Sequence, residues 1–195
     1  MANVLLIGSS HINRLRQYVN DFNLQNFGLI HHKYQCVAIR RPDKEQSPFW
    51  VMVKWSNRVG PDRILVQFGG NDLDCENASE QSAEEIILML ISICSLYLSR
   101  PNIEHVTILQ LLPRHETRHC PPVVYNNLVR HANTYLKEQI QAVPGLHYWN
   151  VYGVKNSAVN IFVDGVHFNQ DGFLRYYRNV RGAIVQSLGY CKWNV

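Results

Sequence analysis

Three short polar motifs, far apart in the chain, carry side chains that together could run serine chemistry. Gly8-Ser9-Ser10-His11 follows the apolar run Val4-Leu5-Leu6-Ile7, Gly69-Gly70-Asn71-Asp72 follows Ile64-Leu65-Val66-Gln67-Phe68, and Asp164-Gly165-Val166-His167 follows Asn160-Ile161-Phe162-Val163. A serine hydroxyl is a weak nucleophile until an adjacent base takes its proton. His167 is the candidate base. Asp164, three residues earlier, can turn its carboxylate to one ring nitrogen and leave the other for the serine. That arrangement fixes the tautomer and stabilises the imidazolium. Asn71 offers an N–H₂ group where negative charge would develop on a carbonyl oxygen.

Each motif alone has a plainer reading. Gly-Ser-Ser reads as a helix N-cap, Asp-Gly as a turn, and Gly-Gly-Asn-Asp as a loop after a strand. Their placement changes the weight. Each follows an apolar run of strand length, and residues placed after parallel strands collect at the carboxyl edge of an open sheet. Ser10 would stand in the first turn of a helix, where backbone N–H groups are unpaired and the dipole favours negative charge. Its own N–H is thus a second donor to an oxyanion. The residues alone leave open whether Ser9 or Ser10 is reactive. His11 adjoins them, but neighbouring helical side chains point about 100° apart, which predicts a cleft-rim or substrate contact rather than a base. Arg114, after Leu112-Pro113, is a candidate contact for an anionic or carbonyl group of a substrate. His115, His119 and Cys120 read as a solvated loop, and neither a metal site nor a cofactor is expected.

The elements that must position these groups alternate. Strands are expected at Asn3–Ile7, Lys33–Ile39, Arg63–Phe68, His105–Leu111 and Leu146–Val151. Helical spacing follows the first motif, with Ile12, Leu15 and Val19 on one face. A short amphipathic helix is expected around Phe49, Trp50, Val53 and Trp55. Ser82-Ala83-Glu84-Glu85 has capping-box spacing and opens an apolar helix to about Leu98. Pro121-Pro122 starts another, with Val124, Leu128, Ala132, Tyr135 and Leu136 near one stripe. The last runs from Asp171 to Leu188. The alternation predicts an α/β fold, a three-layer α/β/α sandwich on a five-stranded parallel sheet. Right-handed crossovers, together with the family resemblance that the three motifs carry, favour the flavodoxin-like strand order 2-1-3-4-5.

At 195 residues, with 46% hydrophobic and 17% charged residues, the chain is globular and long enough for a full core. No repeat, linker or low-complexity segment divides it, so residues 1–195 are expected to form one domain. The net charge of +4 is mild. Arg175, Arg178 and Arg181 form a drifting stripe on the last helix and give weak grounds for nucleic-acid binding. Five scattered cysteines without Cys-x-x-Cys point to reduced thiols. With no signal-peptide pattern and no apolar run of transmembrane length, the expectation is a cytoplasmic protein. Neither Gly-x-Gly-x-x-Gly nor a P-loop is present, which argues against a flavodoxin-like nucleotide binder.

The order of the three motifs resembles the SGNH (GDSL) hydrolase superfamily over nearly the whole chain. Aligned on Gly8, Ser10 takes the nucleophile's place, and Ser9 stands where the family usually has aspartate. Gly69-Gly70-Asn71-Asp72 matches the Gly-x-Asn-Asp block, and Asp164 with His167 matches Asp-x-x-His. The resemblance implies a serine esterase or acetylhydrolase that works through an acyl-serine, with Ser10, Asp164 and His167 catalytic and with Ser10 and Asn71 in the oxyanion hole. The family's second-block glycine, whose N–H also faces the oxyanion, has no counterpart in Val37-Ala38-Ile39-Arg40-Arg41-Pro42; the Arg40 backbone is the nearest substitute. Substrates across the superfamily are small-molecule, sugar and lipid esters. A narrower resemblance, carried by Leu6-Ile7-Gly8-Ser9-Ser10-His11, Leu112-Pro113-Arg114, Asp164-Gly165-Val166-His167-Phe168-Asn169 and Tyr176-Tyr177-Arg178, is to SGNH-like domains of animal genomes, some in retroelement open reading frames. The competing reading is an SGNH-fold module that has lost catalysis and binds RNA or protein.

Overall fold

The computed structural model describes residues 2–29, 32–38, 60–154 and 161–190. The expected helix around Phe49–Trp55 and the Arg40 backbone lie outside them. Five strands, β1 (Asn3–Gly8), β2 (Lys33–Ala38), β3 (Arg63–Gln67), β4 (His105–Leu109) and β5 (Leu146–Trp149), form one parallel sheet in the order β2-β1-β3-β4-β5. Among the described residues, four α-helices cover it: α1 (Ser10–Asp21), α2 (Glu80–Leu98), α3 (Pro122–Gln139) and α4 (Gln170–Ser187).

Period-2 alternation splits the strands between two cores. Leu5 and Ile7 of β1, Ile64 and Val66 of β3, and Val106 and Ile108 of β4 face the buried sides of α2 and α3. Val4, Leu6, Leu65 and Leu109 face α1 and α4, where Ile12, Leu15, Tyr176 and Val180 meet them. Both sheet faces are thus dry, which is why the strands read as continuous apolar runs. Helix α2 passes a length and composition test for crossing a membrane. One side of it, Ala83, Ile87, Leu90, Ile91, Cys94 and Tyr97, is buried in the core, while Leu88, Met89 and Leu96 are exposed.

Two helix details differ from expectation. Helix α2 starts earlier, with Ser79 as N-cap: the Ser82 N–H donates to Ser79 Oγ at 3.1 Å, and the Ser79 N–H donates to Ser82 Oγ at 2.8 Å. A serine does the reciprocal job usually given to Glu or Gln, so Ser82 is the partner of the cap and not the cap. In α3, Pro122 occupies the first turn, and Tyr125 rather than Val124 points inward; Val124 is 41% exposed.

Candidate active site

Ser10 is the first residue of α1, directly after the carboxyl end of β1. As such, its backbone N–H has no partner within the helix. Ser9 holds the N-cap position, but its side chain makes no capping bond. The Gly8–Gln67 pairing of β1 with β3 sets the first and second motifs side by side. Past β3, Gly69 adopts φ +99, and its carbonyl accepts the N–H groups of Asp72 and Leu73, both at 3.1 Å. Glycine suits that left-handed turn, which lifts Asn71 to the edge of the sheet.

The third motif is a turn between Ile161 and α4. Gly165 adopts φ +71, and the Asp164 carboxylate caps the turn. Its Oδ1 accepts the N–H of Val166 at 3.1 Å and of His167 at 2.7 Å. Its Oδ2 accepts His167 Nδ1–H at 2.7 Å, and His167 Nε2 accepts the Ser10 hydroxyl at 3.1 Å. Ser10, His167 and Asp164 therefore form one hydrogen-bonded chain. Partial desolvation pushes the Asp164 carboxyl up. The His167 N–H, the His167 ring and the Val166 N–H outweigh it and hold it well below the usual carboxylate range. At neutral pH the aspartate is an anion, and the Nδ1–H tautomer of His167 follows from it.

His11 is buried rather than exposed at a rim. It is 6% exposed, edge-on to Phe168 and Tyr176. Burial first, then the charges of His167, Arg114 and Arg14, push its pKa down to about 3, so the ring is neutral. Its Nε2–H donates to the Val166 carbonyl at 3.1 Å. It props the Asp164–His167 turn from below, because the helical rotation that separates it from Ser10 turns it into the core.

Arg114 is likewise buried rather than a surface arginine. It is 8% exposed and spans Asp74 and Asn71: Nη1 donates to Asp74 Oδ2 at 3.1 Å and Nη2 to Asn71 Oδ1 at 2.5 Å. Asp74, which the sequence reading passed over, also accepts the backbone N–H groups of Arg118 and His119 at about 3.0 Å. Burial raises the Asp74 carboxyl, but those N–H groups and the Arg114 guanidinium bring it below its ordinary value. His119 and Cys120 thus belong to the wrapping of Asp74, and Cys120 is buried. His115 and Glu116 are exposed, and with Phe162, Val163, Asp164 and Gly165 they line an open groove beside the turn. On α4, Arg175 and Arg181 donate to the carbonyls of Gly153 and Phe27, while Tyr176 and Tyr177 are buried and unavailable for stacking on bases.

No family model and no curated protein matches the sequence, but solved structures match the fold. A Bacteroides fragilis protein assigned as an acylhydrolase superposes with a TM-score of 0.67, at 17% identity, over 96% of this chain and 88% of that one. A family 3 carbohydrate esterase from Talaromyces cellulolyticus gives 0.61 at 14% identity, over 98% of this chain and all (100%) of that one. The chain shares its fold with these acylhydrolase and carbohydrate-esterase structures. A family 3 carbohydrate esterase from Clostridium thermocellum shares it, with a TM-score of 0.54 at 15% identity over 96% and 98% of the two chains. Ser10, Asn71 and the Asp164–His167 turn stand at the carboxyl edge of this sheet, where ligands of open α/β folds bind.

Proposed function

We propose that this protein is a serine ester hydrolase acting on short-chain carboxylic esters of small molecules or sugars. One observation carries the reading: the Ser10–His167–Asp164 chain, with hydrogen bonds of 3.1 and 2.7 Å. The kinship in fold with acylhydrolases and carbohydrate esterases supports it.

Ser10 Oγ attacks the ester carbonyl carbon as His167 Nε2 takes the hydroxyl proton. The Asp164 anion stabilises the imidazolium and keeps the ring oriented. The carbonyl π pair moves to oxygen, where the Ser10 N–H and the Asn71 amide receive the negative charge. Collapse breaks the bond to the alkoxy oxygen, and His167 returns its proton to the leaving alcohol. Water then attacks acyl-Ser10, with His167 as base again, and collapse releases the acid and restores the serine. The Asp-free first motif, Gly8-Ser9-Ser10, leaves this route intact, because the groups it uses there are the hydroxyl and the backbone N–H of Ser10.

Hydrolysis of p-nitrophenyl acetate and its longer-chain homologues by wild type, Ser10→Ala and Ser9→Ala tests the reading. Activity lost in Ser10→Ala and retained in Ser9→Ala is expected. Activity that survives Ser10→Ala, or a wild type inert to every ester while it binds RNA tightly with steep salt dependence, overturns it.

A further inference from the structure

We infer that Arg114 is a positioning residue, which turns the Asn71 side-chain amide so that its N–H₂ end is presented to the oxyanion. The inference rests on the ester-hydrolase reading of the site. A guanidinium carries five N–H donors and no acceptor. At 2.5 Å from Nη2, the Asn71 atom must therefore be the carbonyl oxygen. A flipped amide would set N–H against N–H beside a fixed positive charge. The amide is planar, so holding its oxygen directs its nitrogen to the opposite side, away from the arginine. A charge-assisted bond to the oxygen also draws electron density from the nitrogen and strengthens its N–H groups as donors.

The arginine itself is immobile. Asp74 holds Nη1 at 3.1 Å. The guanidinium lies over the Tyr125 ring, 4.9 Å from its centre. Asn126 clamps its backbone from both sides, with Oδ1 accepting the Arg114 N–H at 3.0 Å and Nδ2 donating to the Arg114 carbonyl at 2.7 Å. Asp74 further balances the charge, so that Arg114 does not enter the cleft as a free cation. Ser9 and Gly70, the residues preceding Ser10 and Asn71, line one small pocket with Arg114. The arginine thus acts on the oxyanion site through Asn71.

Steady-state kinetics on p-nitrophenyl acetate for Arg114→Met, Arg114→Lys, Asn71→Ala and the Arg114→Met/Asn71→Ala pair test this. Displacing a donor by about 1 Å costs on the order of 10²-fold. Arg114→Met is therefore expected to lower kcat by roughly 10- to 100-fold with KM nearly unchanged, and Arg114→Lys to recover part of the loss. The pair should be no slower than Asn71→Ala alone, since the arginine acts only through that amide. Losses that multiply in the pair, or a loss confined to KM, overturn the inference and leave the ester-hydrolase reading standing. A wild-type kcat in Asn71→Ala overturns the oxyanion assignment instead. Asn71→Asp separates stability from alignment: it keeps an oxygen for Arg114 but lacks the N–H₂ end. It should hold the unfolding midpoint of the wild type while losing turnover as Asn71→Ala does; full turnover in Asn71→Asp overturns the inference.

Discussion

The Gly165 carbonyl accepts the backbone N–H of His115 at 2.7 Å, and that of Glu116 at 3.3 Å. The turn that carries Asp164 and His167 therefore hangs on the segment after β4, whose Arg114 holds Asn71 from the other side. One stretch of three residues, 114–116, ties the His167 turn to Asn71.

Gly165→Ala strikes that tie. A Cβ there would lie 2.3 Å from Glu116 Cγ and 2.8 Å from its backbone nitrogen, at φ +71. Side-chain motion relieves the first clash but not the second, and the left-handed backbone adds about 1–2 kcal/mol of strain. The turn must shift, and His167 with it. Turnover is expected to fall by on the order of 10²-fold, with a lowered unfolding midpoint; kinetics and thermal unfolding on the same sample check both. A variant with wild-type kcat would show that the turn does not depend on the 114–116 segment.

Asp164→Asn retains shape but loses charge. The amide cannot stabilise an imidazolium, and its N–H₂ end competes for the wrong tautomer. Turnover should drop by roughly 10³- to 10⁴-fold with a modest change in KM. A drop of less than tenfold in kcat would remove Asp164 from the mechanism.

A buried histidine, His11, and a half-buried one, His105, make the fold acid-sensitive. Burial, with nearby charge, pushes His11 and His105 down to about 3. Between the ordinary value of 6.5 and about 3, the unfolded chain binds protons that the folded chain refuses. Stability therefore rises with pH in that window and is lost as pH falls below about 6.5. His11 contributes a slope of up to about 1.4 kcal/mol per pH unit. Urea unfolding at pH 7 and pH 5 should show the loss, and His11→Gln should show a smaller pH difference than wild type. An equal difference in both would mean that His11 is protonated in the native state.

Tyr176→Phe isolates a polar contact in the core. The Tyr176 hydroxyl donates to Gln67 Oε1, and Gln67 Nε2 donates to the Gln110 carbonyl at 3.2 Å, which ties α4 to β3 and β3 to β4. Removing the hydroxyl leaves a buried acceptor unpaired, at a cost of about 1–3 kcal/mol. Turnover should persist at temperatures well below the lowered midpoint. Loss of turnover in a fully folded variant would place Gln67 in the chemistry.

The sequence makes the strand-then-motif units readable because both sheet faces are buried and each strand is a bare apolar run ended by Gly or a polar turn. Ser10, His167 and Asp164 stand in such units, and the structure brings them within hydrogen-bond distance. The burial of Arg114 and His11 is not legible in the sequence for a common reason: their partners are distant in the chain. Asp74 and Asn71 lie 40 and 43 residues from Arg114, and the Val166 carbonyl lies 155 residues from His11. No local pattern encodes such pairings. Asp74 carried one faint signal, a carboxylate three residues past Asn71 on the same loop. The cap of α2 was displaced because Ser79 and Ser82 satisfy each other without the acidic residue that marks most capping boxes.

Ser10 and His167 are separated by 157 residues and meet only where α1 and the turn before α4 dock on the same sheet face. Under the proposed mechanism, a chain that has formed α1 but not yet docked the turn before α4 holds a hydroxyl without its base. A serine-directed covalent label would then count the molecules in which those two segments have met, and its rate of appearance after dilution from denaturant would time that docking.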